Sequence, residues 1–300
     1  MALMSEGTLP RRPPQARVLT DADLPQALAL CALDPVASVL AATRIETAMV
    51  FGLARTTGQV WGFPAEGPLE AVCWSGANLV PVVPPGVAEA IDAFANLARQ
   101  RGRRCSSIVG PAEHVLGLWD RLESVWSRPR DVRREQPSMV IDSDPLVEPD
   151  EQVRYSTLAD YPVLLPACVQ MFLEEVGYSP LAVAGSAYED RVRSLVTDRH
   201  SMVRTSVGLP PGSGRVPGVM FKAELGAVTR RVAQVQGVWV APPYRGRGLA
   251  ATGMAAVVRA TRRDVAPVVS LYVNSYNARA LATYRRVGFE QVGTFATVLF

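Results

Sequence analysis

The chain has 300 residues, of which 48% are hydrophobic and 20% are charged, and its formal net charge is +3. This length suits two domains of ordinary size, each with its own hydrophobic core. No apolar run approaches the roughly 18 uninterrupted residues of a membrane helix, so the sequence argues against a membrane-spanning protein.

The first 16 residues are predicted to form a disordered tail, because they contain prolines and a glycine but no apolar segment. For the same reason they are not expected to be a secretory signal. The four cysteines are scattered without a C-x-x-C pair, which is typical of buried thiols in a reducing compartment, so a cytoplasmic location is expected. With only two histidines, no histidine-rich metal site is expected.

Residues 17–142 alternate between β-like runs and helical segments, which predicts a domain of mixed α/β (α+β) class. A short strand at Arg17–Leu19 is followed by helical segments up to Ile45. The later elements are three β-like runs, a helix, a strand, a helix and a strand, predicted at Val60–Phe63, Leu69–Trp74, Leu79–Val82, Val87–Arg101, Ser106–Val109, Ala112–Val125 and Pro137–Ile141.

A linker is predicted at residues 143–151, where the sequence is acidic, contains prolines and lacks periodicity. It would separate the first domain, 17–142, from a second domain at 152–300. Each domain then has an ordinary length for a single hydrophobic core.

The second domain is predicted to begin with a strand at Val153–Thr157, and Asp160 is expected to cap the helix that follows. Gly177–Pro180 ends this helix. A second helix, a hairpin around Pro210–Gly214 and a long strand come next, predicted at Ala187–Val196, Met202–Gly208, Val219–Leu225 and Ala233–Val240.

The most informative segment joins this long strand to a helix predicted at Leu249–Arg263, through a turn that contains Gly246 and Gly248. Glycines allow backbone N–H groups to approach an anion, and a helix N-terminus adds unpaired donors and a partial positive charge. Arg245 and Arg247 add two full charges. The segment therefore predicts a phosphate-binding site.

Two well-known phosphate loops fit this segment poorly. A Walker A loop requires Gly-Lys-Ser/Thr, which is absent. A dinucleotide-binding fingerprint fits Gly246-x-Gly248-x-x-Ala251, but it expects an acidic residue after the next strand, and Val268–Val273 is followed by Asn and Ser. Only 52 residues follow Gly248, too few for the rest of a doubly wound sheet.

A third pattern fits better. Arg245-x-x-Gly248-x-Ala250 resembles the Q/R-x-x-G-x-G/A pyrophosphate loop of the GNAT superfamily of acyl-CoA-dependent N-acetyltransferases. Downstream, Asn277–Phe289 resembles the N-x-x-A-x-x-x-Y-x-x-x-G-F helix of that family at every marked position. The resemblance covers residues 152–300. It implies the GNAT fold, in which a mixed, mostly antiparallel sheet is flanked by helices and splayed at its central strand.

The first half follows the same order of elements, so a second, degenerate GNAT-like domain is expected there. At the equivalent turn, residues 84–89 read PPGVAE, with one glycine, no arginine and a glutamate that would repel a pyrophosphate. Residues 1–150 carry 14 basic and 18 acidic side chains, whereas residues 151–300 carry 17 and 10. The polyanionic cofactor is therefore expected in the second half. Lys222 is the only lysine among the 31 basic residues of the chain.

The resemblance implies that acetyl-CoA, or another short acyl-CoA, binds to the central strand and the loop. Gly237 within this strand favours a bulge, where backbone groups near Val238 and Val240 would pair with the pantetheine arm. The expected cofactor-binding residues lie on the strand, the loop and the last helix, and they are Gln236, Val238, Trp239, Val240, Arg245, Gly246, Arg247, Gly248, Leu249, Ala250, Asn277 and Tyr284. For Asn277, capping of the last helix is the alternative role.

Tyr284 matches the family tyrosine that donates a proton to the departing CoA thiolate, and packing of the last helix is its alternative role. Glu224, on the hairpin strand beside the central strand, is the expected general base. Glu174, Glu175 and Tyr178 lie at the end of the first helix and in the loop after it, where the acceptor is expected to bind. A solvated helix face is the alternative for these two carboxylates.

These features predict an acetyl-CoA-dependent N-acyltransferase that acetylates a primary amine by direct attack in a ternary complex. The acceptor would be a small amine, a peptide or a protein lysine, and the chain would be a monomer or a homodimer. The dispersed arginines lack an aromatic-interleaved basic stripe, so no nucleic-acid partner is expected. The alternative is a non-catalytic acyl-CoA-binding sensor or partner-binding module, because no strong general base is evident.

Overall fold

The computed structural model describes residues 14–206 and 218–300. Most of the predicted tail, and the hairpin turn predicted at Pro210–Gly214, lie outside these residues. No helix within the described ranges combines the length and the apolar character that crossing a membrane requires.

Contacts between Cα atoms divide the chain into two compact units, both discontinuous in sequence. The first extends to Asp34, resumes at Arg44–Arg134 and includes Ala296–Phe300. The second comprises Pro35–Thr43 and Glu135–Phe295, so residues 143–151, where a linker is predicted, belong to it.

The first unit is built on a sheet of short, largely buried strands. Its strands are β1 (Arg17–Val18), β2 (Gln59–Phe63), β3 (Ala71–Ser75), β4 (Asn78–Val82) and β5 (Ser107–Pro111), and its helices are α1 (Leu24–Cys31), most of α2 (Val39–Phe51), α3 (Glu89–Arg101) and α4 (Ala112–Leu122). Neighbouring strands are antiparallel from β1 to β4, whereas β5 is parallel to β4. Helix α3 buries Ala90, Phe94 and Ala98, which lie at helical spacing, in a core shared with Trp61 and Leu118.

The second unit has a mostly antiparallel sheet with the strand order β7-β8-β9-β10-β11-β6. Its strands are most of β6 (Asp131–Ile141), β7 (Arg154–Tyr155), β8 (Ser201–Thr205), β9 (Val219–Val228), β10 (Val232–Val240), β11 (Val268–Tyr272) and most of β12 (Glu290–Leu299), and its helices are α5 (Tyr161–Val176), α6 (Pro180–Ala184), α7 (Ser186–Thr197), α8 (Leu249–Asp264) and α9 (Ala278–Val287). β10 and β11 form a parallel pair, and α8 is the crossover between them, whereas β7 to β10 and the pair β11–β6 are antiparallel. Helix α8 buries Met254, Val257 and Val258 in the core of this unit, which fixes its N-terminus at the end of β10.

Strand β10 separates from β11 and bulges away from β9, as predicted for the central strand. Its pairing with β11 ends at Gln234, although both strands continue. On β9, Glu224 pairs with Gln236 and Lys222 pairs with Trp239, so two residues of β10 lie opposite one residue of β9. Gly237 takes a φ of +61° within this bulge, a backbone conformation that favours glycine.

Several elements differ from the sequence-based prediction. Asp160 does not cap α5 with its side chain. Instead its carboxylate accepts a hydrogen bond from the Thr157 N–H at 2.8 Å and pairs with both terminal nitrogens of Arg154, which lowers the pKa of Asp160 to about 2. Strand β6 begins at Asp131, six residues before the predicted start at Pro137. The sequence pattern missed this first half of the strand because it is mostly polar and exposed. Helix α6 was not predicted, since five residues are too short for a recognisable period.

Candidate functional site

The loop between β10 and α8 is open to solvent and shaped by two glycines. Pro242–Tyr244 form a single 3-10 turn, and the next four residues, Arg245–Gly248, are exposed. Gly246 and Gly248 have φ values of +75° and +79°, and apart from each glycine and its chain neighbours no heavy atom of the described residues lies within 4 Å of where a Cβ would stand. A backbone of this shape disfavours other residues and leaves space for a ligand beside the main chain.

This loop presents a run of backbone donors. Within the described part of the chain, the N–H groups of Gly246 to Ala250 donate to no other group, and the first intrahelical bond of α8 is from Ala251 to the Gly248 carbonyl at 3.0 Å. Helix α8 has 16 residues, so its dipole adds positive potential at this end. The arrangement fits an anion with several oxygens, such as a pyrophosphate.

The two loop arginines are placed differently. The Arg245 guanidinium folds back, donating from Nε to the Val240 carbonyl at 2.8 Å and from Nη2 to Glu174 Oε2 at 2.6 Å. Arg247 lies 5.9 Å from the centre of the Tyr244 ring. Arg245 therefore uses part of its donor set to fix the loop, and its contact with a cofactor stays a prediction.

Glu174 links α5 to the loop and to β10. Besides Arg245, its Oε2 accepts from Trp239 Nε1 at 3.3 Å. Burial opposes ionisation, but hydrogen bonds from Arg245, Gln170 and Trp239 outweigh it, so the pKa of Glu174 lies below its usual value. Three predicted site residues, Glu174, Trp239 and Arg245, are therefore in contact. The carboxylate of Glu174 is directed at Arg245. A contact of Glu174 with an acceptor stays a prediction.

Gln236, Val238 and Val240 line the bulged half of β10. Val238 and Val240 are half-buried against the core of the second unit. The Gln236 side chain lies against Gly226 so closely that a Cβ on this glycine would be 2.2 Å from it. The Trp239 ring packs on the other side, with the cluster that includes Leu164 and Val203.

Glu224 lies in a buried ionic cluster that the sequence analysis did not foresee. Its Oε1 is 2.7 Å from Lys222 Nζ and accepts from Cys168 Sγ at 3.5 Å. Lys222 is fully buried and also donates to the Gly237 carbonyl at 2.9 Å and to Met171 Sδ at 3.4 Å. Burial opposes ionisation of both partners, but each charge stabilises the other, so the pKa of Glu224 is lowered and that of Lys222 is raised. Removing one member of such a pair costs about 3–5 kcal/mol of stability.

Cys168 is not a reactive thiol. Burial raises its pKa to about 12, and the neighbouring Glu224 adds to this effect. The signal that could have found the cluster is the single lysine of the chain, two residues from Glu224 on one strand and therefore on the same face of the sheet. Cys168 and Met171 come from α5 and join the cluster through tertiary packing alone.

Tyr284 lies on α9 with 8% of its surface exposed, and its ring is 5.8 Å from that of Phe289. Burial, with a smaller contribution from the negative charge of Glu175, raises the pKa of the phenol. Its hydroxyl makes no hydrogen bond within the described residues. Tyr284 is therefore both a packing residue and a protonated phenol with a free donor.

Asn277 and Tyr178 have structural partners. The Asn277 side chain caps α9 by accepting from the Ala280 N–H at 3.1 Å. The Tyr178 ring packs edge-to-face on Phe172 at 5.4 Å. The roles predicted for both residues in ligand binding stay predictions.

A cavity of about 370 Å³ lies in the first unit and is lined by other elements of the chain than the predicted site residues. Its walls include Trp61, Trp126, Arg101 and Arg104, and none of the predicted site residues. Among the described residues, no group of three or more His, Cys, Asp or Glu is arranged to hold a metal ion.

Comparison with protein families assigns the two halves differently. Residues 214–289 match the acetyltransferase (GNAT) family, and residues 58–164 match a domain of unknown function, DUF4081. No curated protein matches the chain. The GNAT segment contains the bulge, the loop and the tyrosine helix described above.

Solved structures share the fold over nearly the whole chain. A Drosophila protein has a TM-score of 0.64 at 13% identity, covering 96% of this chain and 99% of its own. A GCN5-related N-acetyltransferase from Sphaerobacter thermophilus has a TM-score of 0.57 at 18% identity, covering 95% of each chain. A tandem GNAT protein from the clavulanic acid biosynthesis pathway has a TM-score of 0.53 at 14% identity, covering 95% of this chain and 98% of its own. At these identities the likeness establishes the GNAT fold alone.

Proposed function

We propose that the protein is an acetyl-CoA-dependent N-acyltransferase, because residues 214–289, in its C-terminal half, match the acetyltransferase (GNAT) family. The observation that carries the proposal is the loop Arg245–Ala250. The free N–H groups of Gly246 to Ala250, the two glycines with positive φ and the N-terminus of α8 would suit a pyrophosphate.

Acetyl-CoA, or another short acyl-CoA, supplies an activated thioester when it is bound. The N–H groups of Gly246 to Ala250 would hold its pyrophosphate, with Arg247 and the remaining N–H groups of Arg245 adding positive charge. The edge of β10 from Gln236 onward would pair with the arm, because β11 leaves this edge after Gln234. At its far end the Val240 carbonyl already accepts from Arg245.

Transfer to a primary amine forms a bond between the amine nitrogen and the acyl carbon and breaks the carbon–sulfur bond. The amine loses one proton, and the departing thiolate needs one. Tyr284 is the proposed donor to the thiolate, since its raised pKa keeps the phenol protonated and its hydroxyl has no other partner in the described chain. A positioned general acid contributes on the order of 10²–10⁴ in rate.

Glu224 is the proposed acceptor of the amine proton, through water. Lys222 keeps its carboxylate ionised but lowers its pKa, which weakens it as a direct base. The ionised carboxylate still attracts an ammonium and orients a water beside it. We propose an amine on a small molecule, a peptide or a protein lysine as acceptor, with Glu174, Glu175 and Tyr178 near it.

A second function has one observation in its favour. The burial and pairing of Glu224 suit a domain that binds an acyl-CoA without turnover, as a sensor or a partner-binding module. For either function we propose a cytoplasmic location, which the four free and buried cysteines support, and a monomer or homodimer.

An acetylation screen separates the two functions. The protein is incubated with acetyl-CoA and a panel of amines, amino acids and lysine peptides, and products are identified by mass spectrometry. An N-acetylated product that requires the protein is the expected result. Tight acetyl-CoA binding with no product from any amine would favour the sensor, and no binding at all would contradict both.

A further inference from the structure

Lys222 is an unusual residue in this chain. It is the only lysine among 31 basic residues, and its side chain is completely buried. A composition so rich in arginine makes a lysine at a buried, functional position informative, because an ammonium and a guanidinium differ in size and in the geometry of their donors.

The Lys222 ammonium is directed at one peptide group of β10. Its Nζ lies 2.9 Å from the Gly237 carbonyl oxygen, and Glu224 Oε1 at 2.7 Å compensates the buried charge. A Cβ added at Gly237 would be 3.2 Å from Nζ and 3.1 Å from Glu224 Oε2. Glycine at position 237 therefore permits both the positive φ and the close approach of the ion pair.

The same peptide group carries the N–H of Val238. The Gly237–Val238 bond is trans, since the only cis bond in the described chain is Phe63–Pro64. In a planar trans peptide the N–H points opposite to the carbonyl, so the Val238 N–H points away from Lys222. Val238 lies in the bulge between the paired residues Gln236 and Trp239, on the strand from which β11 has separated.

We propose that Lys222 is a positioning residue that acts through the Gly237–Val238 peptide, making the Val238 N–H a stronger hydrogen-bond donor to the acyl carbonyl oxygen. This inference rests on the proposed function and deepens it. In this arrangement Lys222 would act without touching the cofactor or the acceptor itself.

The physical basis is polarisation of the peptide. A cation at the carbonyl oxygen draws electron density away from the nitrogen, so the N–H becomes more acidic and donates more strongly, by roughly 10–30% per coupled bond. A donor aimed at an oxygen that gains negative charge contributes on the order of 10²–10³ in kcat, so strengthening it favours acyl transfer.

Lysine is the residue that suits this position. Carbonyl, carboxylate and thioether acceptors converge on one small ammonium within 3.4 Å. A planar guanidinium would need more room than the Gly237 contacts leave.

The test measures the carbonyl stretching frequency of bound acetyl-CoA labelled with ¹³C at the thioester carbonyl, by isotope-difference infrared spectroscopy of the full-length protein. A stronger donor moves this band to lower frequency. The readout needs no acceptor and no turnover. Calorimetry on the same samples gives the Kd of acetyl-CoA.

The main variant is Lys222→Met combined with Glu224→Gln, because Lys222→Met alone leaves a buried carboxylate unpaired and threatens the fold. Met171→Leu is the matched control, since it changes another contact of the same ammonium while conserving volume. We expect the double variant to lose more than half of the wild-type frequency shift while its Kd stays within about threefold. Met171→Leu should keep the full shift.

Each other outcome overturns the inference. A full shift in the double variant would show that Lys222 does not act on the Val238 donor. Loss of both the shift and the affinity would assign Lys222 a purely structural role in holding the strand. A wild-type protein that binds no acetyl-CoA would contradict the proposed function itself, which is distinct from either result.

Discussion

The two units contain the same local arrangement, in which a strand leads through a turn into a helix and the chain returns as a parallel strand. In the first unit these elements are β4, α3 and β5, and in the second they are β10, α8 and β11. The second arrangement leaves more free donors in its turn than the first does. The difference lies in a few residues of the turn.

In the first unit more of the corresponding donors are absent or used, although the N–H groups of Gly86, Ala88 and Glu89 make no hydrogen bond within the described chain. Pro84 and Pro85 have no N–H, and the N–H groups of Val87, Ala90 and Ile91 donate to carbonyls within the turn. Glu89 and Asp92 place negative charge in the first turn of α3. A pyrophosphate would meet like charge there, so a shared arrangement does not give a shared site.

The strands that lead into the two turns, β4 and β10, also differ. β4 pairs with β3 in regular register from Leu79 to Val82, whereas β10 has a bulge opposite β9 at Gly237. The regular strand has no counterpart of the bulged peptide group that Lys222 contacts. The first unit therefore lacks both parts of the site that the second unit combines.

The largest effect is expected when the two turns receive the same substitution. Gly248→Glu should abolish acetyl-CoA binding, because a side chain and a negative charge enter the anion site. Gly86→Glu is the matched control, since Gly86 also has a positive φ, +87°, and open space around its Cβ position. Calorimetry on folded variants should give wild-type affinity for Gly86→Glu. Equal losses in both variants would show that strain, and not the site, controls binding.

The next effect concerns proton donation. Tyr284→Phe should lower kcat on the order of 10²-fold and leave the Kd of acetyl-CoA unchanged, because the phenol acts on the leaving thiolate. Tyr276→Phe, at a residue that is 75% exposed and two residues before α9, should retain wild-type kcat. Steady-state kinetics with the acceptor found in the screen provide the measurement. Wild-type kcat for Tyr284→Phe would reduce Tyr284 to a packing residue.

The smallest effect concerns Asn277. Loss of its cap in Asn277→Ala should lower the free energy of unfolding by about 1 kcal/mol, whereas Asn277→Ser should retain most of it. Denaturant titration measures this difference. The opposite outcome is that both variants keep the wild-type stability but bind acetyl-CoA more weakly. Asn277 would then contact the cofactor, as the family resemblance implies.

The local part of the site could be predicted from the sequence because its information is local. Gly246, Gly248 and the flanking arginines lie within a few residues of each other, between a strand and a helix with clear patterns. The bulge was also indicated locally, by Gly237 within an apolar strand. These features require no knowledge of the rest of the fold.

The remaining features depend on residues that are distant in sequence. Pro35–Thr43 belong to the second unit and Ala296–Phe300 to the first, and no local pattern indicates such exchanges. Cys168 and Met171 reach Lys222 only because α5 packs on β9 and β10. The salt bridge between Glu174 and Arg245 joins residues 71 positions apart, so no local pattern indicates this contact.

The central claim is that the chain has one acyl-CoA site, in the second unit. Its most direct test is the binding stoichiometry of acetyl-CoA to the full-length protein by calorimetry. The intact chain is required, because a truncation near residue 148 would remove Pro35–Thr43 and the whole of β6, which pairs with β11 in the second unit. One molecule per chain is the predicted result, and two sites per chain, or none, would contradict it.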